Sequence, residues 1–260
     1  NITIYSIMSD LPKLEILNMK DGSEAFRIKK RSTWNLPMRL LICGKSELSG
    51  KGVLLGNLML RPFDKTDETG VDFYKDNFEG EDIYIICPST LVDKKWQSII
   101  KGKQIPEENI HVNYDEKILE DLYDRLEKAH QERKDNNEPL VHSCIVMDDI
   151  SCTGDLKAKM NGIMSKFFCN GRHHLISSVV TSQRYADIPT VARENATGMC
   201  LFYCTQKQSE LIYNDIGETN KSDFLKMFRK ATERKHSFLV VNYTNDHDER
   251  FLDSNFQKLV

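Results

Sequence analysis

The sequence has no run of about 18 apolar residues, so it offers no segment able to cross a membrane as a helix. Its N-terminus has neither a basic stretch followed by an apolar one nor a small-residue cleavage pattern, which argues against a signal peptide. The chain opens on Asn1 and not on Met, and reads as a fragment with Met8 as a candidate natural start. A dominant charge sign is also lacking. Lys and Arg number 36 against 39 Asp and Glu, a net charge of −3, so nothing attracts the chain globally to nucleic acid. Binding DNA would need basic groups gathered locally. An even cysteine framework is missing as well: there are 7 cysteines, and Cys43, Cys87, Cys144 and Cys200 lie in apolar stretches. That usage reads as reduced thiols in an intracellular compartment. Cys200 and Cys204 have no second pair of ligands beside them and read as core, not as a metal pair. Internal repeats and low-complexity tracts are not found.

What is present is an ordinary globular composition, with 40% hydrophobic and 29% charged residues over 260 positions. Apolar runs of strand length recur at Arg39–Cys43, Ile83–Cys87, Asn109–Asn113, Ser143–Asp149, Leu175–Thr181, Met199–Cys204 and Ser237–Tyr243. Most are continuous and do not alternate, as expected of a sheet covered on both faces. Helical patterns lie between them at Lys51–Leu60, Leu91–Ile100, Glu116–Lys134, Leu156–Cys169, Gln208–Ile216 and Lys221–Thr232. This alternation predicts an α/β domain with a mainly parallel central sheet flanked by helices. Residues 61–82 read as a long polar loop and 133–140 as a second break. Residues 1–37 read as a less regular arm or small strand region, and 38–260 as the main domain.

Three stretches carry chemistry. The first, "GKSELSGKG" (44–52), follows an apolar strand and opens a helix. Such loops turn backbone N–H groups around phosphate oxygens, and a lysine at the helix N-terminus adds charge. Gly44, Lys45, Ser46, Ser49, Gly50, Lys51 and Gly52 are the candidate nucleotide-binding residues. The spelling is irregular: Gly44 is one residue too far from Gly50-Lys51, and Gly52 stands where Ser or Thr is expected. The alternative is a strand-to-helix turn with an exposed lysine. The second stretch, "SCIVMDDI" (143–150), ends a strand in two carboxylates. Asp148 is the candidate magnesium ligand and Asp149 the candidate group for activating water. Turn-forming aspartates at a strand end are the plainer alternative. In the third stretch, a strand ends in Thr181-Ser182-Gln183, with Gln183 placed to sense a γ-phosphate. Arg172 and Arg193 flank it, either as surface ion-pair partners or as arginines supplied in cis or from a neighbouring subunit to a charged transition state. Adjacent His173 and His174 would point to opposite faces of a strand and do not read as a metal pair. Arg229, Lys230, Arg234 and Lys235 read equally as a phosphate-contacting cluster or a solvated helix end.

Together "IYIICPS" with "DKKW" (83–96), "IVMDDI" (145–150), "FFCNGRHHLISSVVTSQ" (167–183) and "IPTVARENA" (188–196) resemble the FtsK–HerA superfamily of P-loop ATPases. The similarity covers roughly residues 38–245. It is nearest to the branch used for genome packaging by poxviruses, other large DNA viruses, virophages and Polinton-type elements. The resemblance implies a RecA-like fold of the ASCE type, with an extra strand between those carrying the phosphate loop and the acidic pair. It also implies ATP and Mg2+ as cofactors, and a homo-oligomeric ring, pentamer or hexamer. The ring would move double-stranded DNA into a preformed capsid, with portal or vertex proteins as partners. By position, Lys51, Asp148 and Gln183 match the phosphate lysine, the magnesium carboxylate and the strand-end sensor. Arg172 lies where the superfamily carries a trans-acting arginine; Arg193 matches a basic position of less defined role. The expected location is the virion or a cytoplasmic virus factory, without membrane insertion. Two rivals stand beside this reading: a cellular or plasmid translocase of the same superfamily, and a non-hydrolysing nucleotide-binding scaffold with a degenerate loop.

Overall fold

The computed structural model describes residues 26–46, 49–62, 71–149, 155–217 and 220–259. Residues 1–25 of the expected arm, Glu47 and Leu48 of the glycine-containing loop, and 63–70 of the long loop lie outside that set. Strand β1 (Arg39–Cys43) leads into helix α1 (Lys51–Leu60). β2 (Ile83–Ile86), α2 (Lys94–Lys103), β3 (Ile110–His111), α3 (Glu116–Asp135), β4 (Ser143–Met147) and α4 (Asp155–Ser165) follow. A π-turn over Lys166–Asn170 and a 3-10 turn over Gly171–His174 lead to β5 (Ile176–Ser182). The chain closes with α5 (Thr190–Glu194), β6 (Gly198–Phe202), α6 (Gln206–Ile216), α7 (Lys221–Thr232), β7 (Phe238–Asn242) and β8 (Phe251–Leu252).

These strands form one sheet in the order β3-β2-β4-β5-β1-β6-β7-β8, parallel as far as β6 and antiparallel at β7 and β8. β5 is the extra strand between β1 and β4, so the expected α/β, RecA-like arrangement is present. The sheet is covered on both faces because its strands are mostly apolar and successive side chains diverge; β5 also buries Ser177, Ser178, Thr181 and Ser182. Leu40 and Ile42 pack on one face with Leu54, Leu55 and Leu58 of α1 and with Trp96 and Ile99 of α2. Leu41 and Cys43 pack on the other with Leu119 and Leu122 of α3, Phe224 of α7 and Ile212 of α6.

Helix ends follow side-chain chemistry. Asp93, Asp115 and Asn220 accept from backbone amides at the starts of α2, α3 and α7. The cap at Asp93 starts α2 three residues later than the predicted Leu91. The expected Asn109–Asn113 strand is reduced to two residues at the sheet edge, where one neighbour is missing. The expected Leu156–Cys169 helix ends at Ser165, and the chain continues through the π-turn. Residues 26–38 pack into the domain, with Trp34, Leu36 and Met38 fully buried and Ile28 bridging Leu36. In the described part of the long loop, Val71, Phe73, Tyr74 and Phe78 are buried, so apolar anchors hold a stretch that is polar on average. Among the described residues no helix is long and apolar enough to cross a membrane.

Candidate nucleotide site

The carboxyl ends of β1, β4 and β5 bring the first two sequence stretches and Gln183 to one edge of the sheet. Gly44 leaves β1 with its amide donating to the Ser182 carbonyl at 3.1 Å, which ties the loop to the end of β5. Gly50 precedes α1 at φ 91°, a left-handed backbone that glycine adopts without the Cβ clash other residues meet. No side chain caps α1, and its first turn carries no acidic residue. The amides at that end are therefore open to an anion, and the helix dipole favours one. Lys51 is buried, and its ammonium donates to the Gly44 carbonyl at 2.7 Å, folding the side chain back over the loop. Ser49 is buried with its hydroxyl donating to the Lys45 carbonyl at 2.7 Å, while Lys45 and Ser46 are exposed. On the far side of the loop an open cleft of about 480 Å³ is walled by Lys45, Ser49, Tyr203, Arg234 and His236.

Two strands away, roughly 10 Å at sheet spacing, Asp148 leaves β4. Its amide donates to the Ile86 carbonyl at 2.9 Å. Its carboxylate accepts from three side chains: Trp96 Nε1 at 2.7 Å and the Cys87 thiol at 3.5 Å on Oδ2, and the Thr181 hydroxyl on Oδ1. Thr181 also accepts the Asp149 amide at 2.9 Å, so one buried hydroxyl fixes both aspartates. Asp149 sits at φ 56° and is exposed. Gln183 Nε2 donates to both of its carboxylate oxygens at 3.0 Å. Burial pushes the Cys87 thiol up to about 11, the Ser89 contact opposes this and the charge of Asp148 adds to it, so Cys87 is a neutral donor.

The two arginines are placed differently. Arg172 lies in the 3-10 turn before β5, at the opposite end of that seven-residue strand from Gln183, some 20 Å along it. It is exposed beside a cavity of about 360 Å³ that it lines with Arg27, Arg39 and His173, and no acidic residue is among the lining residues. Burial first, and then Arg172 and Arg27, lower the pKa of Arg39. Arg193 is turned inward: its side chain is 9% exposed, paired with Asp215, bonded to the Ile188 carbonyl at 3.2 Å and to Thr190 at 3.1 Å. Its guanidinium also stacks on Tyr185, 5.2 Å from the ring centroid. The fold therefore gathers the loop, Asp148, Asp149 and Gln183, and leaves both arginines outside that group. His173 and His174 share no partner: Arg172 contacts the first, and Glu127 pairs with the second at 3.0 Å. Trp96 and Thr181 were not among the residues predicted for the site. "DKKW" carries a signal for Trp96, since Asp93 as N-cap sets which residue of α2 turns toward the sheet.

Residues 25–253 match the family described as Poxvirus A32 protein. An uncharacterized protein, 075L, of Invertebrate iridescent virus 6 is 26% identical over 143 residues, covering 54% of this chain and 53% of that protein. The chain thus spans about half the length of that curated relative. Among solved structures, the genome packaging NTPase B204 from Sulfolobus turreted icosahedral virus 2 in complex with AMP superposes with a TM-score of 0.52 at 11% identity. The same protein with AMPPCP gives 0.52 at 14%, and in both cases 80% of this chain and 94% of that one are covered. The DNA-packaging ATPase B204 from Sulfolobus Turreted Icosahedral Virus gives 0.50 at 14%, with the same coverage. At these identities the likeness establishes the fold.

Proposed function

The chain belongs to the Poxvirus A32 protein family, and from that premise we propose that it is an ATPase that drives double-stranded DNA into a preformed viral capsid. The observation that carries the reading is the uncapped start of α1 with buried Lys51 on the Gly44 carbonyl, beside Gln183 at the end of the adjacent β5 and with Asp148 and Asp149 one strand further at the end of β4. The β- and γ-phosphates take the open amides at the start of α1, and Lys51 exchanges its carbonyl partner for a phosphate oxygen. The cleft beside Tyr203 and His236 leaves room for the base and sugar.

The donor set fits a magnesium ion only in a particular way. Among the described residues there is no cluster of three or more His, Cys, Asp or Glu side chains, and Gly52 brings no hydroxyl. Asp148 has about four acceptor directions, three of them already taken by Trp96, Cys87 and Thr181. One direction remains for a water of the ion's shell, and magnesium commonly keeps several waters and leans on substrate phosphates. Such an ion would supply charge neutralisation at the phosphates. Asp149 accepts the proton of the attacking water, and Gln183, released from Asp149, orients that water. Arg172, at the far end of the sheet from its own loop, serves a neighbouring copy in a homo-oligomeric ring. Arg193 contributes by holding the segment after Gln183 in place. Basic groups multiplied around such a ring's pore let an acidic chain grip DNA.

Gly52 favours one other reading, a nucleotide-binding protein without hydrolysis. Magnesium-dependent ATP turnover, measured with and without double-stranded DNA, separates the two. Turnover stimulated by DNA and lost in Lys51→Ala supports the motor. Absence of turnover, with nucleotide binding intact in Lys51→Ala, overturns it.

A further inference from the structure

Gly52 is the second residue of α1, and the space its missing side chain leaves is used. A Cβ built there would stand 3.0 Å from Cδ and 3.9 Å from Nζ of Lys95. Lys95 belongs to α2, where the Asp93 side chain accepts the Lys95 amide at 2.8 Å and so fixes it as the helix's second residue. The next residue, Trp96, turns into the core and reaches Asp148. With Trp96 anchored, Lys95 projects across α1, its stem lying over Gly52. Its ammonium is exposed and has no carboxylate partner among the described residues.

A Ser or Thr hydroxyl at position 52 would ordinarily help hold a divalent cation on this face of the helix, beside the phosphates. Here a lysine ammonium occupies that face. The uncapped amides at the start of α1, with Lys51 and Lys95, then converge on the same anion from α1 and α2. We propose that Lys95 is a second phosphate-binding cation of the nucleotide site, and that Gly52 is the gap that admits its stem. The inference rests on the nucleotide-site reading above and deepens it: the ligand is a polyphosphate, and part of the charge usually brought by the metal is built into the chain. A Cβ at 52 would push aside a flexible surface stem, not backbone, so substitution there tests the lysine without dismantling the helix.

The test is calorimetric titration of the full chain with ATP and with AMP, in EDTA and again in magnesium. In Lys95→Ala, ATP binding in EDTA is expected to weaken about tenfold, the loss of a charge-assisted contact. AMP, which lacks the β- and γ-phosphates, binds as in the parent. Lys95→Arg retains most of the ATP affinity. Gly52→Ser, although it restores a hydroxyl, weakens ATP binding in EDTA in the same direction, and Gly52→Ser with Lys95→Ala is no weaker than Lys95→Ala alone. Parent-like ATP binding by Lys95→Ala in EDTA, or tighter magnesium-ATP binding by Gly52→Ser, overturns the proposal. Lys51→Ala run alongside separates the two levels. Loss there with no effect at Lys95 sinks only the second cation, whereas no effect at either residue sinks the nucleotide site itself.

Discussion

Gln183 and Asp149 hold each other: the glutamine amide donates to both oxygens of the aspartate at 3.0 Å, across the ends of two adjacent strands. Asp149 also adopts φ 56°, where Asp and Asn are tolerated better than most side chains. Asp149→Asn therefore preserves shape and backbone, removes the proton acceptor and gives up one of the two exposed bonds from Gln183. Turnover is expected to fall by roughly 10²–10⁴, with ATP affinity and melting temperature unchanged. Steady-state hydrolysis paired with calorimetric binding checks this; a variant that still turns over at half the parent rate would remove Asp149 from the chemistry.

Trp96 locks the other aspartate from a different helix. Replacing it with Phe keeps most of the buried ring and deletes the 2.7 Å bond to Asp148. A hydrogen bond to a charged group is worth about 1.5–3 kcal/mol, so urea unfolding is expected to show a loss within that range. The functional signature is separate from the stability loss. With Asp148 less firmly aimed, half-maximal hydrolysis requires more magnesium, while ATP binding in EDTA stays as it was. A magnesium titration of turnover at saturating ATP reads it out.

Those two contacts also mark what was legible in the sequence. The mostly apolar runs identified every strand of the parallel core, because a sheet buried on both faces favours apolar residues on both sides of each strand; β5 is the most polar of them, with Ser177, Ser178, Thr181 and Ser182 buried. α1 and α7 fall where their patterns place them, since sharp end signals at Gly50 and Asn220 flank them. That the loop, Asp148, Asp149 and Gln183 stand at strand ends was readable, because each is local to one strand. Trp96, Thr181 and Lys95 were not. Their contacts depend on β5 lying beside β4 and on α2 packing against α1, and sheet order is a property of the whole chain. The inward turn of Arg193 was hidden for the same reason: its partner Asp215 is 22 residues away on α6.

The arginines divide by burial, and stability should divide with them. Arg193→Ala breaks a pair whose side chains are 9% and 25% exposed, strips two further hydrogen bonds and unstacks Tyr185. Removing one partner of such a pair costs about 3 kcal/mol, which chemical denaturation would resolve. Arg172→Ala touches an exposed side chain and should shift stability by no more than about 0.5 kcal/mol. Its effect belongs to the assembled protein. Mixing Arg172→Ala with Lys51→Ala, each inactive alone, should regain turnover if the arginine acts on a neighbour's site. No recovery in mixtures shown to contain hybrid assemblies would place Arg172 outside the active site.

Asp82 supplies a pH dependence independent of any ligand. It sits in the 3-10 turn (Gly80–Asp82) before β2, and burial raises its carboxyl to about 6, reinforced by Glu81 and Glu79 and opposed by Arg133. The ordinary value is 3.8. Between those values the folded chain keeps a proton that the unfolded chain has released. Stability from this group therefore falls as pH rises through the window from about 4 to about 6. Above it both states are ionised and the folded state bears the full penalty of a half-buried charge. Asp82→Asn removes that charge at nearly constant shape. Its melting temperature should exceed the parent's at about pH 7.5 and match it at about pH 4, where the parent carboxyl is mostly protonated once folded. Scanning calorimetry of both proteins at the two pH values decides the matter: an equal difference at both would mean that packing, and not ionisation, sets the effect at this turn.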